Sequence, residues 1–259
     1  MENLFVKEAE VDLIEEEKID IACELGKAML KFGGETYRVE EIITRTLSYY
    51  GIKGNSFAVL NTIIISVEYS NMKKEAKVIR VSGRNINLNK VDKINDIARN
   101  LKNYSTKEIK QKLEEINNSN EINTTRKFLG NILVGGAFAI LFSGNLNDSL
   151  VAAISSIFLG VMDKLYTKIK INSFFTNFLG GAIATLNSLI FYKFGVIEDI
   201  SISIISALML LVPGISFTNS IRDIMAEDFV SGVSRIVEAI VVGIALAAGS
   251  GVILSILYI

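Results

Sequence analysis

The distribution of apolar residues divides the chain into two contrasting halves. From Phe128 to Ile259 the sequence is almost entirely apolar, with scattered glycines and short polar connectors. Residues 1–127 are rich in charge and contain no comparable run. A helix needs about 20 mostly apolar residues to cross the hydrocarbon core of a bilayer. The pattern therefore predicts that the second half lies in a membrane.

Five apolar segments in the second half predict five membrane-spanning helices. They cover residues 128–144, 149–165, 174–194, 200–217 and 235–258. The third and fifth are long enough to span, whereas the other three need extension into the interface. The alternative is a bundle of buried helices in a soluble protein, which the lack of a polar face disfavours.

Shorter periodic patterns in the first half predict a small α+β domain at residues 1–125. Helical periodicity runs over 14–32 and again from Thr36. The β-branched stretches 56–69, broken near Asn61, and 76–82 predict strands. Helices are expected at 89–103 and 106–118, the latter with a Ser105–Glu108 capping box. The expected fold class is mixed: an N-terminal cytoplasmic α+β domain, then an all-α bundle of five transmembrane helices in a domain at 126–259.

The charged connectors predict how the chain is oriented. The basic residues on one set of connectors are Arg126, Lys127, Lys164, Lys168, Lys170, Arg222 and Arg235. The opposite set holds Lys193 alone. By the positive-inside rule, the N-terminus is cytoplasmic and Ile259 lies outside the cell membrane, as an odd number of spans requires.

Composition then excludes several classes of chemistry. The net charge of −1 gives no basic excess for binding nucleic acid. The chain has no histidine and one cysteine, Cys23, so Ser–His catalysis, disulfides and most zinc sites are not expected. Neither a Walker A sequence nor a GxSxG motif occurs. We therefore expect no enzyme, metal or cofactor, and any proton handling must use carboxylates. The acidic N-terminus predicts no cleavable signal peptide.

The first motif, GGETYRVEE at residues 33–41, predicts a tight turn at the start of a helix. Carboxylates such as Glu35 and Glu40 match the positive end of a helix dipole. Arg38 suggests either a bidentate clamp on a carboxylate or a pair with a glutamate at the junction of domain and membrane.

The second motif is a predicted break in the fourth span at Pro213 and Gly214, because proline removes a backbone donor. Broken helices at membrane depth commonly coordinate substrates or ions. Asn219, Arg222 and Asp223 follow. The last two indicate either an interfacial stop or, through Arg222, an anion-binding group.

The third motif lies at the entrance to the fifth span. Arg235 and Glu238, three residues apart, can pair, and Asp228 precedes them. An ionisable group in an apolar run, such as Glu238 or Asp163, is a functional candidate, although a structural salt bridge explains it equally. Asn177 in the third span either binds substrate or joins helices.

One face of the fifth span predicts close approach of another helix. The residues of this small-residue stripe are Ala239, Gly243, Ala247, Gly251 and Ser255. Small side chains let helices approach closely in a bilayer. The neighbour is either a helix of this chain or one from a second subunit.

Together, the motifs GGETYRVEE, PG followed by NxxRD, and DxxSGxxRxxEA resemble the threonine/serine exporter family, in particular its N-terminal module, which also occurs as a separate subunit. The matching positions are Gly33, Gly34, Glu35, Thr36, Arg38, Glu40, Pro213, Gly214, Asn219, Arg222, Asp223, Gly232, Arg235 and Glu238. The resemblance covers nearly the whole chain. It implies a multi-pass exporter of small hydroxy-amino acids or, in split versions, of a dicarboxylate such as succinate, driven by an ion gradient.

The resemblance also implies a partner. Full-length exporters of the family carry a second membrane module, whereas this chain stops after five predicted spans. We therefore expect a companion membrane subunit resembling the family's C-terminal module, in contact with the small-residue stripe. The lipid bilayer and a small-molecule substrate are the other expected partners.

The first functional hypothesis is a subunit of such an exporter. Arg222 or Arg235 would hold the substrate carboxylate, and Asp223, Asp228 or Glu238 would change protonation to couple export to protons. Burial has to raise the pKa of such a carboxylate for this to work near neutrality. The full set of candidate site residues is Arg38, Glu40, Asp163, Asn177, Pro213, Gly214, Asn219, Arg222, Asp223, Asp228, Arg235 and Glu238.

Two other functions compete with transport. One is a membrane-anchored ligand-sensing or regulatory protein whose cytoplasmic domain carries the activity. The other is a membrane hydrolase that uses Glu35 and Glu40, which the lack of histidine and of a nucleophile motif disfavours.

Overall fold

A computed structural model describes residues 2–119, 124–169 and 172–257. Their elements, in chain order, are α1 (Glu2–Lys31), α2 (Thr36–Tyr49), β1 (Lys53–Val59), β2 (Thr62–Glu68), β3 (Lys74–Arg80), α3 (Leu88–Arg99), a 3-10 turn (Leu101–Asn103), α4 (Thr106–Asn118), α5 (Thr124–Leu141), α6 (Leu146–Ile169), α7 (Ser173–Lys193), α8 (Ile200–Leu208), α9 (Gly214–Met225) and α10 (Phe229–Leu257).

The chain forms two compact units, and the first is built from two separate stretches of sequence. This first unit consists of Met1–Ser119 together with Ile215–Ile236. The second unit consists of Asn120–Gly214 together with Val237–Ile259. Helix α10 therefore contributes its first turns to one unit and its remainder to the other.

The core of the first unit lies between helices α1 and α2 and an antiparallel sheet of order β1-β2-β3. Side chains alternate across a strand, so β2 turns Ile63, Ile65 and Val67 inward. The predicted break near Asn61 is confirmed, because β1 ends at Val59 and β2 begins at Thr62.

The predicted capping box at the start of α4 is also confirmed. Ser105 Oγ accepts a hydrogen bond from the Glu108 amide at 3.3 Å, and Glu108 Oε2 accepts from the Ser105 amide at 2.7 Å. The box satisfies backbone donors that the first helical turn leaves without a partner.

The second unit is a helical bundle in which α8 packs against α5, α6 and α7. Helices α7 and α10 approach closely, since a Cβ at Gly249 would collide with the Phe178 carbonyl. Ser250 Oγ donates to the Gly181 carbonyl at 3.2 Å across the same contact. Small residues on α10 do pack within the chain, but on a different face from the small-residue stripe.

The expected fold class is wrong. Among the described residues, only α7 and α10 are long and apolar enough to cross a membrane, and Leu146–Met162 is a shorter apolar stretch. Helix α8 has nine residues and is only about 14 Å long at 1.5 Å per residue, against a hydrocarbon core of about 30 Å. A cytoplasmic domain followed by five spanning helices does not describe this chain.

The predicted fourth span fails for a specific reason. Its apolar run, 200–217, is divided between α8 and α9, with the chain turning before Pro213. Beyond that break, α9 buries the polar residues Asn219, Ser220 and Asp223. From Ile215 onward, α9 belongs to the first unit. Which side of a membrane that unit faces stays a prediction.

Candidate functional site

The site begins at the turn between α1 and α2. Gly33 has φ +88°, a left-handed conformation that glycine adopts without steric cost. A Cβ on Gly34 would press against Met29, so the second glycine is needed for close packing. The turn exposes the carbonyl groups of both glycines and starts α2 at Thr36.

Asp223 of α9 caps the N-terminus of α2. Its Oδ1 accepts from the Thr36 amide at 2.9 Å and its Oδ2 accepts from the Thr36 hydroxyl at 3.1 Å. The residue that precedes the helix, Glu35, makes no side-chain cap of its own. A carboxylate 187 positions away in the sequence therefore fills the anion site that a helix N-terminus provides.

Arg235 of α10 completes this buried arrangement. Its Nε lies 3.0 Å from Asp223 Oδ2, and the two side chains are 5% and 0% exposed. Its Nη2 donates to the Gly34 carbonyl at 3.0 Å and to the Thr36 hydroxyl at 3.3 Å. The Asn219 amide donates to the Gly33 carbonyl at 2.9 Å. Both glycine carbonyls are thus satisfied by side chains from the distant stretch of sequence.

A second ion pair lies at the edge of this cluster. Arg222 Nη1 donates to Glu35 Oε1 at 2.7 Å, and Arg38 Nε lies 3.6 Å from Glu35 Oε2. Burial alone would raise the pKa of Glu35, but hydrogen bonds from the backbone and from Arg222 outweigh it and leave that pKa below its usual value. Glu35 therefore stays ionised.

Two further carboxylates lie close to Asp223. Glu40 Oε1 accepts from the Ala58 amide at 2.7 Å. Asp228 Oδ1 accepts from the Ser231 amide at 3.4 Å, while its Oδ2 is buried with no hydrogen-bond partner among the described residues. Burial and the neighbouring carboxylates raise the pKa of Glu40, and burial raises that of Asp223 despite its contact with Arg235.

We call this set the motif cluster. It comprises Glu35, Thr36, Glu40, Asn219, Arg222, Asp223, Asp228 and Arg235. It holds more carboxylates than guanidinium groups, two of them with raised pKa values. Such a group can take up a proton more readily than isolated carboxylates can.

The comparison with known families agrees with these motifs. Residues 20–257 match the family model described as "Putative threonine/serine exporter". The chain belongs to the threonine/serine exporter family. It is 27% identical, over 95% of its length, to a protein of Corynebacterium glutamicum named "Threonine/serine exporter". The chain spans about half the length of that curated relative. No solved structure matches it.

The motif cluster gathers six of the twelve predicted site residues. Two residues of the cluster, Glu35 and Thr36, were absent from the predicted site. Thr36 was expected to start a helix and to match the family motif, but no role in the site was given to it. The sequence does show a hydroxyl, that of Thr36, at a helix N-terminus, which favours binding of a carboxylate. It does not show which carboxylate binds there, because Asp223 is 187 positions away.

Other predicted site residues lie apart from the cluster. Pro213 directly precedes α9 and Gly214 is the first residue of that helix, and both belong to the second unit. The Asn177 amide donates to the Ser173 carbonyl of its own helix at 2.8 Å. Glu238 lies on α10 within the second unit. Asp163 lies on α6, and its side chain is outside the described residues. Their roles stay predictions.

Proposed function

We propose that this chain is one module of a membrane exporter for threonine and serine, driven by protons through the motif cluster. The relative's name supports the substrate class, and a dicarboxylate is the alternative substrate. The proposal depends on one observation. The fully buried carboxylate of Asp223 forms an ion pair with Arg235 and accepts a hydrogen bond from the Thr36 hydroxyl. The positive charge of the buried Arg235 side chain is therefore balanced by Asp223 when that carboxylate is ionised.

The chemistry follows from competition for Arg235. With Asp223 ionised, its Oδ2 lies against Arg235 Nε and accepts from the Thr36 hydroxyl. Protonation of Asp223 removes the negative charge and leaves a buried cation without its counter-ion, which is costly. The carboxylate of an amino acid can then pair with Arg235, since guanidinium binds carboxylate in a bidentate geometry. Proton uptake would in this way be linked to substrate binding.

Efflux measurements test this link. Cells that carry the chain and a separately encoded second module are loaded with labelled threonine, with and without a protonophore. We expect the protonophore to slow efflux by the wild type. The variant Asp223→Asn, which cannot ionise, should export slowly and no longer respond to the protonophore.

The matched control is Asp92→Asn, because Asp92 is an exposed carboxylate on α3 of the same unit. It should behave as the wild type does. Membrane abundance of each variant, read with an epitope tag, separates lost transport from lost protein. Protonophore-sensitive efflux by Asp223→Asn would refute the coupling role.

We also propose that a companion membrane subunit covers the small-residue stripe of α10. Within this chain, α7 packs against Gly249 and Ser250, whereas Gly243 and Gly251 are exposed and would admit a Cβ without contact. Glycines left uncovered on an apolar helix suit close approach by a second helix.

Co-purification of a tagged chain with the second module tests the companion subunit. Gly243→Leu should abolish it, because the larger side chain prevents close approach. Val241→Leu, at an exposed position of the same helix, is the control and should leave it intact. Equal recovery of the second module by both variants would exclude this face.

A further inference from the structure

A small hollow lies between α2 and α3 of the first unit, and none of its lining residues belongs to the motif cluster. Its volume is about 140 Å³, and its lining includes Tyr37, Arg38, Glu41, Arg45, Asn95 and Arg99. The helical spacing explains why they meet. Positions 38, 41 and 45 recur on one face of α2, and positions 95 and 99 are one turn apart on α3.

The lining carries excess positive charge. Three arginines against the single glutamate give a formal charge of +2. Arg45 Nη2 lies 3.3 Å from Glu41 Oε1, and Arg38 lies near Glu35, a carboxylate that it shares with Arg222. Arg99 has no hydrogen bond or ion pair with any described residue, and the same holds for the Asn95 side chain.

In Arg38, only Nε has partners among the described residues. Its Nε donates to the Tyr37 hydroxyl at 3.3 Å and lies 3.6 Å from Glu35. Neither terminal nitrogen of Arg38 has a partner among the described residues. These nitrogens, the Arg99 guanidinium and the Asn95 amide are donors that remain available around one hollow.

The position of these arginines is not explained by helix stability alone. A basic residue in the last turn is favoured by the helix dipole, which accounts for Arg99 at the end of α3. Arg38 and Arg45 are not in the last turn of α2. Like charges that converge without enough counter-ions repel one another, so a negative ligand would stabilise their grouping.

We propose that this hollow binds a compact, doubly charged oxyanion, either a phosphate group or a short dicarboxylate. The guanidinium fork matches the oxygen atoms of both. A volume of about 140 Å³ is roughly that of four or five water molecules at about 30 Å³ each, which limits the ligand to a small anion. A neutral zwitterion such as threonine satisfies the +2 charge less well. This site is independent of the proposed proton coupling.

Calorimetric titration of the full chain in detergent and a phosphate-free buffer of low ionic strength tests the site. The probes are inorganic phosphate, succinate, threonine and a short-chain phosphatidic acid. We expect phosphate and succinate to bind at least tenfold more tightly than threonine, and binding to weaken with added salt. Binding of phosphatidic acid but not of free phosphate would identify the same phosphate chemistry on a lipid headgroup.

Variants locate the binding in the hollow. Arg99→Gln should weaken it about tenfold, as expected for the loss of a charge-assisted hydrogen bond. Arg80→Gln removes the same charge from an exposed position on β3 and should change little. Glu41→Gln removes the competing carboxylate and should tighten binding severalfold, an effect that misfolding cannot produce. No binding of any anionic probe, or equal affinities in the Arg99 and Arg80 variants, would overturn the proposal.

Discussion

Replacing Asp223 by alanine gives the most direct test of the buried cluster. The change leaves Arg235, whose side chain is 5% exposed, without its counter-ion at 3.0 Å. Breaking a buried ion pair by removing one partner costs about 3–5 kcal/mol, because the other charge stays buried and unpaired. The amide and hydroxyl of Thr36 also lose their acceptors, which adds to the same cost. The expected loss is therefore about 3–5 kcal/mol, or roughly 6–20 °C in the unfolding midpoint.

The single cysteine supplies the assay. Cys23 is 7% exposed in the core of the first unit, and burial raises the pKa of its thiol to about 11. A fluorogenic maleimide needs the thiolate, so it labels Cys23 only when this unit unfolds. Labelling of purified protein during a temperature ramp then reports the midpoint of the unit that contains Asp223.

Two controls isolate the buried charge as the cause. Arg222→Ala removes an arginine whose side chain is 55% exposed, and Arg38 stays 3.6 Å from the Glu35 carboxylate, so this change should cost less than Asp223→Ala. Replacing Asp223 and Arg235 together by leucine removes both charges and should recover much of the loss. If Asp223→Ala lowers the midpoint no more than Arg222→Ala does, the buried pair does not stabilise the first unit as argued.

Three further predictions concern other parts of the molecule. Gly249→Ala should destabilise the second unit by about 1–3 kcal/mol, because the new Cβ meets the Phe178 carbonyl. Gly251→Ala is the control, because a Cβ there has free space. Equal melting temperatures of the two variants by circular dichroism would contradict this. Ser105→Ala should cost about 0.5–2 kcal/mol through loss of the capping box, and an unchanged midpoint in the cysteine assay would count against it. The raised pKa of Glu40 adds stability below about pH 4, which is lost as the pH rises through that pKa. Glu40→Gln should therefore gain stability relative to the wild type as the pH rises from 4 to 7. A difference in stability between the two proteins that does not change with pH would refute this.

Local patterns predicted much of the first unit. The periodicity around Thr36 and the β-branched run broken near Asn61 are properties of neighbouring residues, and the structure contains the corresponding helix and strands. The Ser105 cap likewise depends on a partner three residues away. Interactions of this kind are present in any short window of sequence, so pattern reasoning can find them.

Composition misled the prediction in the second half. Apolar residues occur both in a spanning helix and in a short packed helix such as α8, so hydropathy alone does not separate them. Helix length decides between the two, and the break before Pro213 shortens α8 to nine residues. After that break, Arg222 and Asp223 were expected to form an interfacial stop or, through Arg222, an anion-binding group. In the structure, Asp223 and the neighbouring Asn219 are buried partners of the α1–α2 turn.

The division of the first unit between two stretches of sequence changes which experiments can be interpreted. Deleting residues 1–120 to test for a sensory domain would remove the acceptors and donors that Asn219, Asp223 and Arg235 use. The Asp223–Arg235 ion pair would then lose its hydrogen bonds to Thr36 and to the Gly34 carbonyl, which is unfavourable whether or not the deleted part senses a ligand. Loss of transport after that deletion would therefore say nothing about sensing. Point variants that change one side chain, such as Asp223→Asn for coupling and Arg99→Gln for anion binding, separate these functions because they alter different contacts.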